Sequence, residues 1–244
     1  MDHDSLLADL RRLRDKRIFF GHQSVGVDIM KGVKDLTEAA PELSPVFVAA
    51  DAASLPAGGW FADLRIGRNG YPIEKCAAFR ETVIRLGRGT LDIAMMKFCY
   101  ADIGPQTNPA EVFDAYARTV EGLRTAFPGT VFVHATIPYT VRTASWRIQA
   151  KRVLGRGDRS RGGNLQRTRF NGLLTGAFSG EPVFDVARVE STHPGGRRES
   201  FTHEGETAFS LVGEYTRDGG HLNETGRRLA GRELLRVLAA AGEK

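Results

Sequence analysis

Short apolar, β-rich runs alternate with longer amphipathic ones along the whole chain, and few architectures accept that order. Parallel strands cannot be joined by tight turns, so each amphipathic run acts as the crossover helix that returns the chain to start the next strand. The runs at 17–20, 45–49, 91–96, 130–135 and 182–186 read as strands, and those at 5–16, 25–40, 72–86, 164–178 and 224–241 as helices. A further helix opens at Pro109 and is closed by Pro128-Gly129. Pro72 and Pro109 take the first helical position, where a missing N–H costs least. Residues 57–71 are rich in glycine and read as a loop. The pattern predicts a three-layer α/β/α sandwich with a central parallel five-stranded sheet. With no internal repeat and no linker long enough to split the core, residues 1–244 are expected to form one domain.

Composition narrows the function classes. The 244 residues are 41% hydrophobic, enough to bury a sizeable core. No stretch approaches the roughly 18 apolar residues of a membrane span. The N-terminus lacks a basic start followed by an apolar run, so a cytoplasmic location is expected. Cys76 and Cys99 have a spacing that suits no metal motif and are expected to be reduced. The six histidines are scattered, so neither a metal nor another cofactor is expected. No motif specifies an oligomer.

In such sheets the reactive groups gather where loops converge at the carboxyl ends of the strands. Near the C-terminus, Asp218-Gly219-Gly220-His221 places a carboxylate three residues before an imidazole, just ahead of the last helix. A carboxylate so placed can orient the ring and stabilise its charge when it takes a proton. The pair lacks only a nucleophile. Ser24, in Gly21-His22-Gln23-Ser24, stands at a strand-to-helix junction where helix N-terminal amides can hold an oxyanion. A serine there also suits a helix N-cap.

These residues resemble the SGNH hydrolases, the GDSL-type lipase/esterase superfamily. The first block of that superfamily is similar to Gly21-His22-Gln23-Ser24, and the last, Asp-x-x-His-Leu followed by a Gly, to Asp218, His221, Leu222 and Gly226. Weaker likenesses are Thr136-Ile137-Pro138 after a strand and Asn171 ahead of Phe184-Asp185-Val186. The resemblance implies an SGNH/flavodoxin-like sandwich, attack by Ser24 on an ester carbonyl, His221 as base and then acid, and Asp218 orienting it. The Ser24 amide and that of Gly67 or Gly70 would hold the oxyanion.

Two departures stand out. Gln23 replaces the first-block aspartate, and the third block, Gly-x-Asn-Asp in the superfamily, has no asparagine in the stretch from Lys97 through Asp102. Lys97 is the expected substitute donor, against a plain salt bridge to Asp92 or Asp102. Cys99 and Tyr100 are weaker neutral donors. His22, Cys99, Tyr100 and Arg142 are the candidate substrate-binding residues.

The net charge of +5 is local: residues 142–169 hold nine basic residues against one acid, Asp158. This basic insertion, at about 142–163, would be either a lid that attracts an anionic saccharide or a solvated loop. Nucleic-acid binding is not expected, because no recognition motif accompanies the charge. The segment 193–206 reads as a polar loop. The leading expectation is a serine esterase that removes an acyl group, acetyl above all, from a small-molecule or saccharide ester. The alternative is an inactive SGNH-fold protein that binds an anionic saccharide or nucleic acid.

Overall fold

The computed structural model describes residues 3–38, 40–52, 54–87, 89–142 and 159–243. Most of the basic insertion lies outside them.

Helix α1 (His3–Leu13) leads into β1 (Arg17–His22) and α2 (Ser24–Thr37). Strands β2 (Val46–Ala49) and β3 (Trp60–Arg65) follow, then α3 (Pro72–Leu86) and β4 (Ile93–Met96). Next come α4 (Pro109–Ala126), β5 (Val131–Ala135), α5 (Arg159–Ala177), β6 (Val183–Phe184) and α6 (Val186–Ser191). A hairpin of β7 (Ser200–His203) and β8 (Glu206–Phe209) precedes the closing helix α7 (Glu224–Ala241). Among the described residues, no helix is long and apolar enough to cross a membrane.

The main sheet has the order β2-β3-β1-β4-β5-β6, and every pairing in it is parallel. Side chains alternate across it as the pleat requires. Ile18 and Phe20 join one core with α1, α2 and α7, while Phe19 joins the other and stacks on Phe79 of α3. The architecture is the three-layer sandwich expected, with six strands instead of five. The extra strand is β3, inside the segment read as a loop. Its Trp60, Phe61 and Ala62 are buried between β1 and β2, while glycines on either side mask the run in the sequence. The segment read as a polar loop likewise contains β7. Phe201 there and Ala208 of β8 pack on Leu165 of α5.

Two features of this topology position the site. Strand order reverses beside β1: the chain leaves β1 toward β3 and β2 but leaves β4 toward β5, which opens a crevice at their carboxyl ends. Helices α2 and α7, from opposite ends of the chain, also pack with their backbones nearly touching. A Cβ on Gly32 would lie 2.0 Å from the Arg227 carbonyl oxygen, and one on Gly231 2.7 Å from the Val33 nitrogen. Only glycine permits that approach.

Candidate active site

Gln23 is the N-cap residue of α2, and Ser24 is the first residue inside the helix. Ser24 is therefore not the cap, and no side chain caps this end. The first helical amides are left without a side-chain cap. The Gln23 amide reaches sideways to the carbonyls of Ile66 and Gly67 at 2.9 and 2.6 Å, tying the loop after β3 to the start of α2. Gly67 has φ +57, and a Cβ there would stand 2.8 Å from Lys75 Cγ, so this turn requires glycine. Among the described residues, its amide has no partner.

One turn along α2, on the same face as Ser24, the Asp28 carboxylate accepts from the Leu222 amide at 3.1 Å and from Arg217 at 2.7 Å. It thereby clamps the turn that carries Asp218 and His221 against the serine's own helix. In that turn His221 Nδ1 donates to Asp218 Oδ2 at 2.6 Å. Asp218 Oδ1 accepts from the amides of Gly220 and His221 at 3.0 and 2.8 Å. Partial burial acts to raise the Asp218 carboxyl, but these hydrogen bonds and the imidazole charge outweigh it and bring it down to about 2. The carboxylate stays ionised and fixes the ring through Nδ1, and among the described residues no hydrogen bond engages Nε2.

Residues after β4 fill the crevice between serine and histidine. Cys99 Sγ lies 3.9 Å from Ser24 Oγ, and the Tyr100 ring meets the His221 ring edge-on at 5.9 Å. Among the described residues, no hydrogen bond joins Ser24 Oγ to His221; the two flank the Cys99-Tyr100 pair.

Asp102 locks this arrangement. One oxygen accepts from the Gly70 amide at 2.8 Å, and the other from the Cys99 amide at 2.6 Å and Lys75 Nζ at 2.5 Å. Lys75 also donates to Asn69 at 2.9 Å. This fully buried ion pair joins the Gly67–Gly70 loop to the Cys99–Asp102 turn.

No protein-family profile and no curated protein matches the chain. Solved structures do. An acetyl esterase aligns with a TM-score of 0.55 and 13% identity over 93% of this chain and 97% of its own. The lipase/acylhydrolase from Enterococcus faecalis gives 0.53 and 15% over 92% and 96%. A carbohydrate esterase family 3 protein from Talaromyces cellulolyticus gives 0.52 and 14% over 93% and 97%.

The chain has the SGNH-hydrolase fold.

Within this SGNH fold, Ser24, Gly67, Cys99, Tyr100, Asp218 and His221 come to one edge, and three expected site residues do not take the roles foreseen. The Gly70 amide is committed to Asp102, which leaves Gly67 as the glycine with an open amide. Lys97 is fully buried and its ammonium donates to the Phe98 carbonyl at 2.9 Å, so Cys99 and not Lys97 adjoins the serine. Burial also lowers the Lys97 pKa. His22 is fully buried, with Nε2 3.0 Å from Asp63 and Nδ1 3.0 Å from the Gln23 carbonyl. It braces β1 against β3.

Arg142 follows Val141, whose amide donates to the Gly219 carbonyl at 2.9 Å, so its backbone borders the Asp218–His221 turn. Its side chain turns to the Ser200 carbonyl at 3.4 Å. Asn171 clamps the backbone of Ile137, accepting at 2.7 Å and donating at 3.0 Å. Cys76 and Cys99 are both free thiols.

Sequence reasoning passed over Asp28 and Lys75 and weighed Asp102 only as an ion-pair partner for Lys97. Signals for two of them existed: Asp28 lies four residues after Ser24 on the same helix, and Asp102 three after Cys99, the spacing of a capping box.

Proposed function

We propose that this protein is a serine esterase in which Ser24 attacks an ester carbonyl, with His221 as general base and then general acid and Asp218 as its orienting carboxylate. The observation that carries the reading is the Asp28 clamp, which holds the Asp218/His221 turn on the helix that begins at Ser24. The relay requires the Ser24 hydroxyl and Nε2 to come together on substrate binding, as catalytic hydrogen bonds tighten in the Michaelis complex.

The ester carbon gains a bond to Ser24 Oγ while His221 takes the hydroxyl proton. The amides of Ser24 and Gly67 receive the negative oxygen. Collapse of the adduct expels the alcohol with the proton from His221. Water then repeats the sequence on the acyl-serine and releases the carboxylic acid.

A short acyl group, acetyl first, on a carbohydrate is the favoured substrate. Support comes from the acetyl esterase and carbohydrate esterase among proteins of similar fold. The half-exposed Tyr71 ring beside the Gly67 loop, with the Arg68 guanidinium 4.1 Å above it, adds a face on which a sugar can stack. The test is hydrolysis of p-nitrophenyl acetate by the wild type, Ser24→Ala and His221→Ala. The reading expects turnover in the wild type alone. A folded wild-type protein with no turnover, or a Ser24→Ala variant as active as the wild type, contradicts it.

A further inference from the structure

We infer that the Cys99 thiol is a further catalytic residue, the side-chain hydrogen-bond donor that completes the oxyanion hole beside Ser24. The inference rests on the esterase reading above and deepens it.

Cys99 is fully buried at the mouth of the β1/β4 crevice, and its sulfur lies 3.9 Å from the attacking oxygen. A thiol both donates and accepts weakly, so proximity alone does not fix its part. Asp102 fixes it. The Asp102 backbone N–H donates to the Cys99 side chain, and the Asp102 carboxylate accepts from the Cys99 N–H. This reciprocal pair holds the residue from both sides and gives the sulfur one donor, an N–H that also donates to the Cys99 carbonyl at 3.0 Å. Among the described residues, the polar atom left for its S–H is Ser24 Oγ. The buried Lys75 ion pair then anchors Asp102 itself.

In the reaction the thiol keeps its proton. Ser24 Oγ forms the C–O bond, the carbonyl π pair moves onto oxygen, and that oxygen accepts from the amides of Ser24 and Gly67 and from Cys99 S–H. When the adduct collapses the pair returns to the carbonyl and the alkoxide leaves with the proton from His221. Nothing is oxidised or reduced, and the sulfur never bonds to the acyl group.

The test compares Cys99→Ala with Cys99→Ser on p-nitrophenyl acetate. Removing an amide donor from an oxyanion hole costs about 100- to 1000-fold in kcat, and a thiol, being weaker, about 10- to 100-fold. Cys99→Ala should fall by that amount in kcat with KM little changed, while Cys99→Ser, which restores a donor, stays within about tenfold of the wild type. A Cys99→Ala variant with wild-type kcat overturns the proposal and leaves the esterase reading standing. A folded wild type that hydrolyses nothing overturns both.

A second measurement leaves Cys99 itself unchanged. In Cys76→Ser the one remaining thiol is Cys99. Its infrared S–H stretching band should move to lower frequency when methylboronic acid forms a tetrahedral adduct on Ser24. An unmoved band with the boronate bound overturns the proposal.

Discussion

Replacing Asp102 with asparagine removes a charge from a point where three donors meet. The two carboxylate oxygens accept from the amides of Gly70 and Cys99 and from Lys75 Nζ, all within 2.8 Å. Asparagine offers one acceptor oxygen, and its NH2 group must face a donor in either orientation. Lys75, fully buried, would lose its one anionic partner among the described residues and keep neutral acceptors, the Asn69 side-chain oxygen among them. Breaking a buried ion pair by removing one partner costs about 3–5 kcal/mol, chiefly because the remaining charge is left uncompensated. Against a typical total of about 5–15 kcal/mol, the variant should unfold at markedly lower urea. If the stranded ammonium is the cause, adding Lys75→Met should recover part of the loss, so the double variant costs less than the sum of the singles. An Asp102→Asn loss below about 1 kcal/mol, or strictly additive variants, would refute the argument.

Other expectations follow from the same geometry. In Asp218→Asn the imidazole loses the acceptor that fixes its tautomer, and kcat should drop on the order of 10,000-fold with the fold intact by circular dichroism. Because the Asp218 carboxyl titrates at about 2, its protonation should contribute nothing to the pH–rate profile above about pH 4. In Gly32→Ala the new methyl carbon would meet the Arg227 carbonyl oxygen at 2.0 Å, so Tm should fall, and with it kcat, as α2 and α7 separate. Burial raises the Glu190 carboxyl to about 8, the Tyr139 amide and the charges of Lys97 and Arg167 only partly opposing it. The folded state therefore keeps a proton that an unfolded glutamate loses near pH 4.3, and this contribution to stability is complete below that pH and lost as pH rises through about 8. Glu190→Gln should gain on the wild type in urea unfolding as pH is raised from about 6 to about 9; parallel curves would refute the assignment.

The sequence carried much of this arrangement, for identifiable reasons. The helices Pro72–Leu86 and Glu224–Ala241 were legible to the residue, one from a first-position proline and the other from the amphipathic run that follows the Asp218–His221 turn. β3 was not legible, because Gly58, Gly59, Gly67 and Gly70 flank a short run whose apolar residues Trp60, Phe61, Ala62 and Leu64 are interrupted by Asp63. At the site, residue type pointed to Ser24, Asp218 and His221. It could not distinguish Gly67 from Gly70, since the difference is which amide Asp102 has engaged. Lys97 was expected to act on the strength of its charge, yet the pleat and full burial direct that charge to the Phe98 carbonyl, and the neutral thiol two residues later meets the serine.

Intact-protein mass spectrometry after exposure to a fluorophosphonate tests the central claim most directly, because only a serine activated by a neighbouring base reacts rapidly. The account predicts one adduct, mapped to Ser24, that is absent in Ser24→Ala and greatly slowed in His221→Ala. A folded protein that takes up no label, or one labelled equally well without Ser24, would contradict it.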